Sequence, residues 1–307
     1  MTKKTLFVSI ANYKDPEVFF TVRNLLENAS GDLKIRICVF SQIDLEDKSF
    51  DELDTIPEVH HVRYDYRQAK GVCWARKMCQ SYYNGEDYYM QIDSHIMFTK
   101  NWDRLLLQDF EAAKNYGRKV ILTAYPPAYE FKEDGTRFIL QEKPTRFDMN
   151  NVNIIPSAAA KFAEDNYDYP EQEYFIAGGF LFTIGDFVKE VPYDEEIFFL
   201  GEEITLAIRA YTAGYFMFAP TKFICAHLYQ VAQPKDQKRN NFWDRQEERT
   251  RKLNWLQRDR TSKIKVQHIC RGEWYGVYGV QDHKLYLEFY GRMRSEHPHI
   301  DLQKVYL

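Results

Sequence analysis

The sequence predicts an α/β fold with a mostly parallel, helix-covered central sheet, and three observations predict it. Short apolar runs alternate with amphipathic helical segments across residues 5–125, the signature of repeated strand–helix–strand units. The first of these runs is apolar except for Ser9, as expected for a strand covered on both faces. The chain has 307 residues, 45% of them hydrophobic, enough to bury one large core.

Leu6–Ala11 (LFVSIA) is the first strand and ends in the polar turn Asn12-Tyr13-Lys14-Asp15-Pro16. Over residues 16–29, Val18, Val22, Leu25 and Leu26 recur at helical spacing, with Pro16 near the start. Leu33–Phe40 is a second strand and His61–Tyr64 a third. Gly71–Tyr83 is a helix with Val72, Ala75, Met78 and Cys79 on one face. The run Tyr88–Phe98 (YYMQIDSHIMF) is a fourth strand, and Trp102–Tyr116 a further helix. Residues 126–172 hold Pro126, Pro127, Pro144, Pro156 and many charges, and read as a long excursion or antiparallel insertion. Order returns at Glu173–Phe182, a strand interrupted by Gly178 and Gly179, then a helix at Ile204–Tyr211 and short strands at Phe216–Ala219 and Phe223–His227. Residues 235–271 carry twelve Lys or Arg against five Asp or Glu, a local charge of +7. That is a solvated helical face, or a basic element touching a diphosphate or an anionic acceptor. The expected organisation is one domain over 1–232, with halves 1–125 and 173–232 around the 126–172 insertion, and a helical, basic extension over 233–307 packed on that domain.

Composition excludes several classes. A net charge of −4 gives no global reason to expect nucleic acid or an anionic membrane as partner. The five cysteines (Cys38, Cys73, Cys79, Cys225, Cys270) are odd in number, widely spaced and without a CxxC pair, which argues against a disulfide framework and a zinc–cysteine site. The apolar run near the N-terminus is about six residues, too brief for a signal peptide or a membrane span. The expectation is a soluble, cytoplasmic protein. Aromatic content of 16%, with 22 Tyr and 22 Phe, reads as an aromatic core or as stacking surface for sugar rings or a nucleobase.

The chemistry concentrates in four places. Asp93 and His95 bracket Ser94 at the end of an apolar strand, where burying a carboxylate and an imidazole without partners costs several kcal/mol. Residues i and i+2 of a strand point the same way, so the two either pair with each other or converge on an ion. Mixed oxygen and nitrogen donors suit Mn2+ or a similar divalent ion better than Ca2+. His227 ends a second apolar run; taken alone it reads as a core histidine. Gly178 and Gly179 mark a bulge or a close approach of a ligand to the backbone. Glu202 and Glu203 follow Gly201 at a helix start, where acids either cap the helix or serve a site.

In order, Asp-x-His, Ala-Gly-Gly-Phe (177–180), Gly-Glu-Glu (201–203) before the helix ITLAIRAYTAGY, and a strand ending in His resemble the GT-A glycosyltransferases. The likeness is to the GlcNAc transferases whose eukaryotic members modify a hydroxyproline on a ubiquitin-ligase adaptor, and more distantly to the polypeptide N-acetylgalactosaminyltransferases. It runs from Phe7–Leu26 through Lys70–Gln80 to Ala226–Tyr229, with an echo at Tyr275–Val280. The resemblance implies a GT-A catalytic domain over 1–232, with a nucleotide-binding half before the insertion and an acceptor and sugar half after it. It implies a divalent metal, Mn2+ with Mg2+ as the alternative, held by Asp93, His95 and His227 against the diphosphate of a UDP-sugar. Ser9, Ala11, Asn12 and Tyr13 would border the uridine, and Arg76 the nucleotide or sugar. Gln91 and Ser94 would belong to the same donor site, Gly178 and Gly179 would let the sugar lie on the backbone, and Glu202 with Glu203 would bind sugar hydroxyls or the acceptor. Two positions depart from the N-acetylgalactosaminyltransferases: Phe199 stands where they have tryptophan, and Glu203 where they have asparagine.

The implied reaction transfers a sugar, GlcNAc or another hexose or N-acetylhexosamine, to a hydroxyl on a protein, a glycan or a modified nucleobase. Configuration would be retained by same-face attack, with Lys235, Lys238 and Arg239 as one supply of positive charge. An inverting reaction with Glu203 as base, a non-catalytic nucleotide-sugar or glycan-binding protein, and a metal-dependent nucleotide hydrolase are the competing readings.

Overall fold

The computed structural model describes residues 3–306 except 118, 152–154, 166, 230–249 and 251. The early chain folds as β1 (Lys4–Tyr13), α1 (Glu17–Asn28), β2 (Leu33–Ile43), β3 (Val59–Asp65), α2 (Val72–Gln80), β4 (Tyr88–Asp93), β5 (Ile96–Phe98), α3 (Trp102–Lys114) and β6 (Lys119–Thr123). The middle consists of β7 (Tyr129–Phe131), β8 (Arg137–Ile139), β9 (Thr145–Asn151), β10 (Pro156–Phe162) and β11 (Gln172–Glu173). Then come β12 (Phe180–Ile184), α4 (Phe187–Glu190), α5 (Glu202–Thr212), β13 (Tyr215–Phe218), β14 (Cys225–His227), α6 (Trp255–Cys270) and α7 (His283–Glu296).

Eight strands form the central sheet in the order β11-β13-β6-β12-β4-β1-β2-β3. β3, β2, β1 and β4 run parallel, as do β6 and β13, whereas β12 is antiparallel to both β4 and β6 and β11 is antiparallel to β13. The expected α/β architecture is therefore present. Leu6, Phe7, Val8 and Ile10 of β1 are fully buried, because helices cover the strand on both faces and consecutive side chains point to opposite ones. Each such side chain removed from water contributes roughly 1.5–3 kcal/mol.

Two expected strands break where chemistry sits. The run 88–98 splits at Ser94-His95, which form a bend between β4 and β5. Thr21 fixes this bend, its hydroxyl donating to Ser94 O at 2.9 Å and accepting from Ile96 N–H at 2.9 Å. The glycines of 173–182 are not inside a strand: Gly178 and Gly179 form a turn that precedes β12. β14 pairs antiparallel with β5 in a separate ribbon, His227 opposite Ile96, and so sets His227 beside His95.

The proline-rich excursion forms two antiparallel ribbons, β7 with β8 and β9 with β10. The C-terminal helices join the main core rather than standing apart. Val266, Ile269, Phe289 and Met293 are fully buried, and Phe289 lies edge-on to Tyr211 of α5 at 5.1 Å. Gly201, at φ +87°, is where α5 meets α6: a Cβ there would come within 2.4 Å of Val266. Lys235, Lys238 and Arg239 lie outside the described residues. Among the described residues no helix is long and apolar enough to cross a membrane, and all five cysteines are free and buried.

Candidate active site

β4 ends at Asp93, at the carboxyl edge of the parallel strands, where open α/β sheets bind their ligands. Asp93, His95 and His227 each offer a donor atom there, all within 4.8 Å of one another. Asp93 Oδ2 is 3.3 Å from His227 Nε2 and 3.9 Å from His95 Nε2. A six-coordinate ion with bonds of about 2.1 Å has adjacent donors about 3 Å apart, so a small contraction would close these three around one ion. One carboxylate with two imidazoles is a donor set that fits a divalent first-row transition metal. Burial opposes ionisation of Asp93, but the hydrogen bond from His227 and the charge of Arg76 outweigh it and hold the carboxyl well below the usual carboxylate range.

Behind the three donors runs a buried polar network. Arg76 of α2 forks between two acids, donating from Nη2 to Asp93 Oδ1 at 2.8 Å and from Nη1 to Glu202 Oε1. The side chains of Arg76 and Glu202 are each 5% exposed. The planar guanidinium can hold two carboxylates in fixed directions, which an ammonium cannot. Tyr193 donates to Glu202 Oε1 at 2.8 Å and accepts from Gln91 Nε2 at 2.7 Å; the same amide nitrogen donates to Gly178 O at 2.7 Å.

Glu203 is tied to the glycine turn. Its Oε1 accepts from Gly178 N–H at 2.8 Å and its Oε2 from the Tyr125 hydroxyl. Burial pushes its pKa up to about 7, against the lowering effect of those two hydrogen bonds. Both glycines are required by space. A Cβ on Gly178 would sit 2.6 Å from Arg76 Nη1, and one on Gly179 2.7 Å from Asp93 Oδ2. These groups line one open cleft of about 930 Å³, with Phe175, Phe199 and Tyr229 as its aromatic wall.

The other expected donor-site residues occupy β1 and its surroundings. Ala11 pairs in register with Asp93, and Ser9 with Gln91. Ser9 and Asn12 are fully buried; Asn12 shapes the turn after β1, its Nδ2 donating to Ser41 Oγ at 3.3 Å and its Oδ1 accepting from Asp15 N–H at 3.2 Å. Tyr13 ends the strand in edge contact with Tyr66 at 6.5 Å. Gln91 and Ser94 turn their polar atoms to the protein, Gln91 under the Gly178 turn and Ser94 onto Asp15 Oδ2 at 3.0 Å.

Three residues of this site escaped the sequence reading: Asp15, Tyr125 and Tyr193. Asp15 carries a weak signal, an acid at the carboxyl end of a parallel strand, which the turn Asn12–Pro16 disguises as ordinary loop polarity. Tyr125 and Tyr193 lie among ordinary loop residues and carry none.

The sequence-family model Glycosyltransferase (GlcNAc) matches residues 51–277, well over half of the chain. The chain belongs to the GlcNAc glycosyltransferase family. A search of curated proteins returns no match. Among solved structures, the glycosyltransferase is similar to GalNAc-T7 with UDP, GalNAc and Mn2+, at a TM-score of 0.64 and 14% identity, over 95% of this chain and 58% of that one. It is also similar to S. aureus TarS in complex with UDP-GlcNAc, at a TM-score of 0.44 and 10% identity, over 94% of this chain and 80% of that one. The chain thus spans little more than half the length of GalNAc-T7. The likeness to GalNAc-T7 fixes the fold as GT-A, in keeping with the mixed, mostly parallel sheet.

Proposed function

We propose that this glycosyltransferase moves GlcNAc, or another hexose or N-acetylhexosamine, from a UDP-sugar to a hydroxyl acceptor with retention of configuration and with Mn2+ as cofactor. The observation that carries the reading is one cleft lined by Asp93, His227, a glycine turn and an Arg–Glu pair, with His95 offering the third metal-type donor within 4.8 Å of the other two. The family match and the UDP, GalNAc and Mn2+ held by GalNAc-T7 support it.

On this reading Asp93, His95 and His227 hold the ion, which when bound supplies positive charge to the departing diphosphate. Ala11 and Tyr13 border the uridine, while Ser9 and Asn12, fully buried, support that strand end from beneath. Gly178 and Gly179 give Arg76 and Asp93 room to sit against the turn on which the sugar lies, and Gly178 O is fixed by Gln91. Arg76 neutralises Asp93 and Glu202 together, so a carboxylate faces the sugar hydroxyls without leaving a second buried acid unpaired. Glu202, clamped by Arg76 and Tyr193, positions groups. The acceptor hydroxyl would sit on a protein, a glycan or a modified nucleobase.

A second reading has a specific observation in its favour: Glu203, with a pKa near 7, is poised as a general base for an inverting reaction. Against it, both of its oxygens already accept hydrogen bonds, from Gly178 N–H and the Tyr125 hydroxyl, which lower its basicity and leave one acceptor site on each oxygen for an acceptor hydroxyl. A panel of nucleotide sugars tested for Mn2+-dependent UDP release, with cell extract as acceptor source, tests the activity. The anomeric configuration of the product, read by NMR, separates the two mechanisms. Release from UDP-GlcNAc abolished by chelator is the expected result; saturable UDP binding with no release from any donor would favour a binding protein.

A further inference from the structure

Asp15 was given no role in the site by the sequence, yet its buried carboxylate points into it. It is 3% exposed. Its Oδ2 lies 2.8 Å from His95 Nδ1 and accepts from Ser94 Oγ at 3.0 Å, and its Oδ1 accepts from Glu17 N–H at 3.0 Å. The chain is bent to bring it there. Lys14 adopts φ +51°, unusual for a residue with a side chain, and its N–H is held by Gln42 O at 3.2 Å. Asn12 Oδ1 then fixes Asp15 N–H at 3.2 Å. A buried carboxylate held in place by a left-handed turn costs free energy twice over, so a specific gain should offset it.

We infer that Asp15 is a positioning residue for the metal: it fixes the tautomer and direction of His95. An ionised carboxylate only accepts, so the short contact puts the imidazole proton on Nδ1. The lone pair is then on Nε2, the nitrogen 3.9 Å from Asp93 Oδ2 and on the side of the three donors. With the proton on Nε2 instead, His95 would present an N–H where a ligand lone pair is needed and set Nδ1 against the carboxylate. The carboxylate also raises the basicity of the ring as a ligand. The hydrogen bond from Ser94 Oγ to Asp15 Oδ2 adds a second tie across the 94–95 bend and holds the carboxylate in place, and turning the ring would give up the Nδ1 contacts with Asp15 Oδ2 at 2.8 Å and with Ser94 Oγ at 3.2 Å.

The inference rests on the Mn2+ reading above, and the experiment keeps the two apart. Mn2+ binding is measured by electron paramagnetic resonance of the free ion on wild type and Asp15→Asn. The tautomer of His95 is read in the metal-free wild type by ¹⁵N NMR with labelled histidine, assigned with His95→Gln. Expected are an Nδ1–H tautomer in wild type, and a Kd for Mn2+ raised about 10–100-fold in Asp15→Asn with the melting transition still cooperative. Wild type with the proton on Nε2 overturns the inference without any variant, and so does a folded Asp15→Asn with wild-type Mn2+ affinity. If wild type itself binds no Mn2+, the metal reading falls and the inference with it, and the tautomer then reports only a structural hydrogen bond.

Discussion

Replacing Gly179 by alanine tests the site at its tightest point. The added methyl would lie 2.7 Å from Asp93 Oδ2, 3.2 Å from its Cγ and 3.7 Å from His227 Cδ2. Ordinary contact begins at 3.4 Å, so the carboxylate oxygen must retreat by about 0.7 Å. Asp93 cannot retreat freely, because Arg76 holds its other oxygen at 2.8 Å. Gly179 has an ordinary backbone conformation, so alanine adds no φ strain and the effect is the contact itself. A metal–oxygen bond of about 2.1 Å does not survive a displacement of that size. The expected outcome is a Kd for Mn2+ raised at least about 30-fold, equivalent to about 2 kcal/mol. UDP release should fall by a similar factor at limiting metal, and stability by only about 1 kcal/mol. Gly291→Ala is the control. It lies inside α7 with nothing within 4 Å of its Cβ, and should gain about 0.5–1 kcal/mol with Mn2+ affinity unchanged. Titration calorimetry and thermal melts give both numbers. Wild-type Mn2+ affinity in Gly179→Ala would show that Asp93 Oδ2 is not a metal ligand.

Glu203→Gln addresses charge. Its pKa is raised from 4.5 to about 7 in the folded state, so the folded protein binds this proton more tightly than the unfolded chain, and stability falls as pH rises from about 4.5 to 7. The glutamine variant should flatten that slope and match or exceed wild-type stability at pH 8. Some slope should remain, because burial also raises Glu173 to about 7; an unchanged urea midpoint against pH would refute the assignment. Arg76→Lys should cost about 2–4 kcal/mol, because one ammonium cannot hold Asp93 and Glu202 together and leaves a buried acid unpaired. Retention of wild-type stability and UDP release would remove Arg76 from the network. Glu202→Gln should lower the rate by several orders of magnitude if it orients the sugar or acceptor, whereas a change below about threefold in steady-state UDP release would exclude it.

The sheet was legible because its strands are short apolar runs of the length and order that strand–helix–strand units need. β12 was legible as a strand but not as the antiparallel member, since a fully buried strand reads the same in either direction. The metal-type cluster was half legible. Asp93 and His95 share a tripeptide, but they converge across a bend rather than along a strand, and Thr21, which fixes that bend, looks in sequence like any helical threonine. His227 gave no local signal; the β5–β14 ribbon, with the hydrogen bond from His227 N–H to Pro127 O at 2.9 Å, brings it in. Gly178 and Gly179 announced a close approach, although what approaches is the protein's own Arg76 and Asp93. Long-range partners such as Asp15 and Tyr193 are set by tertiary contact, so periodicity could not find them. The insertion and the basic segment were read from composition, which gave their character but not their pairing.

One measurement bears most directly on the whole account. Crystals grown with Mn2+ and UDP, measured at the manganese absorption edge, locate the ion without reference to activity. One strong anomalous peak is expected within about 2.3 Å of Asp93 Oδ2, His95 Nε2 and His227 Nε2, with diphosphate oxygens completing the sphere. UDP bound in the cleft with no peak at these three atoms, or with the peak elsewhere, would contradict it.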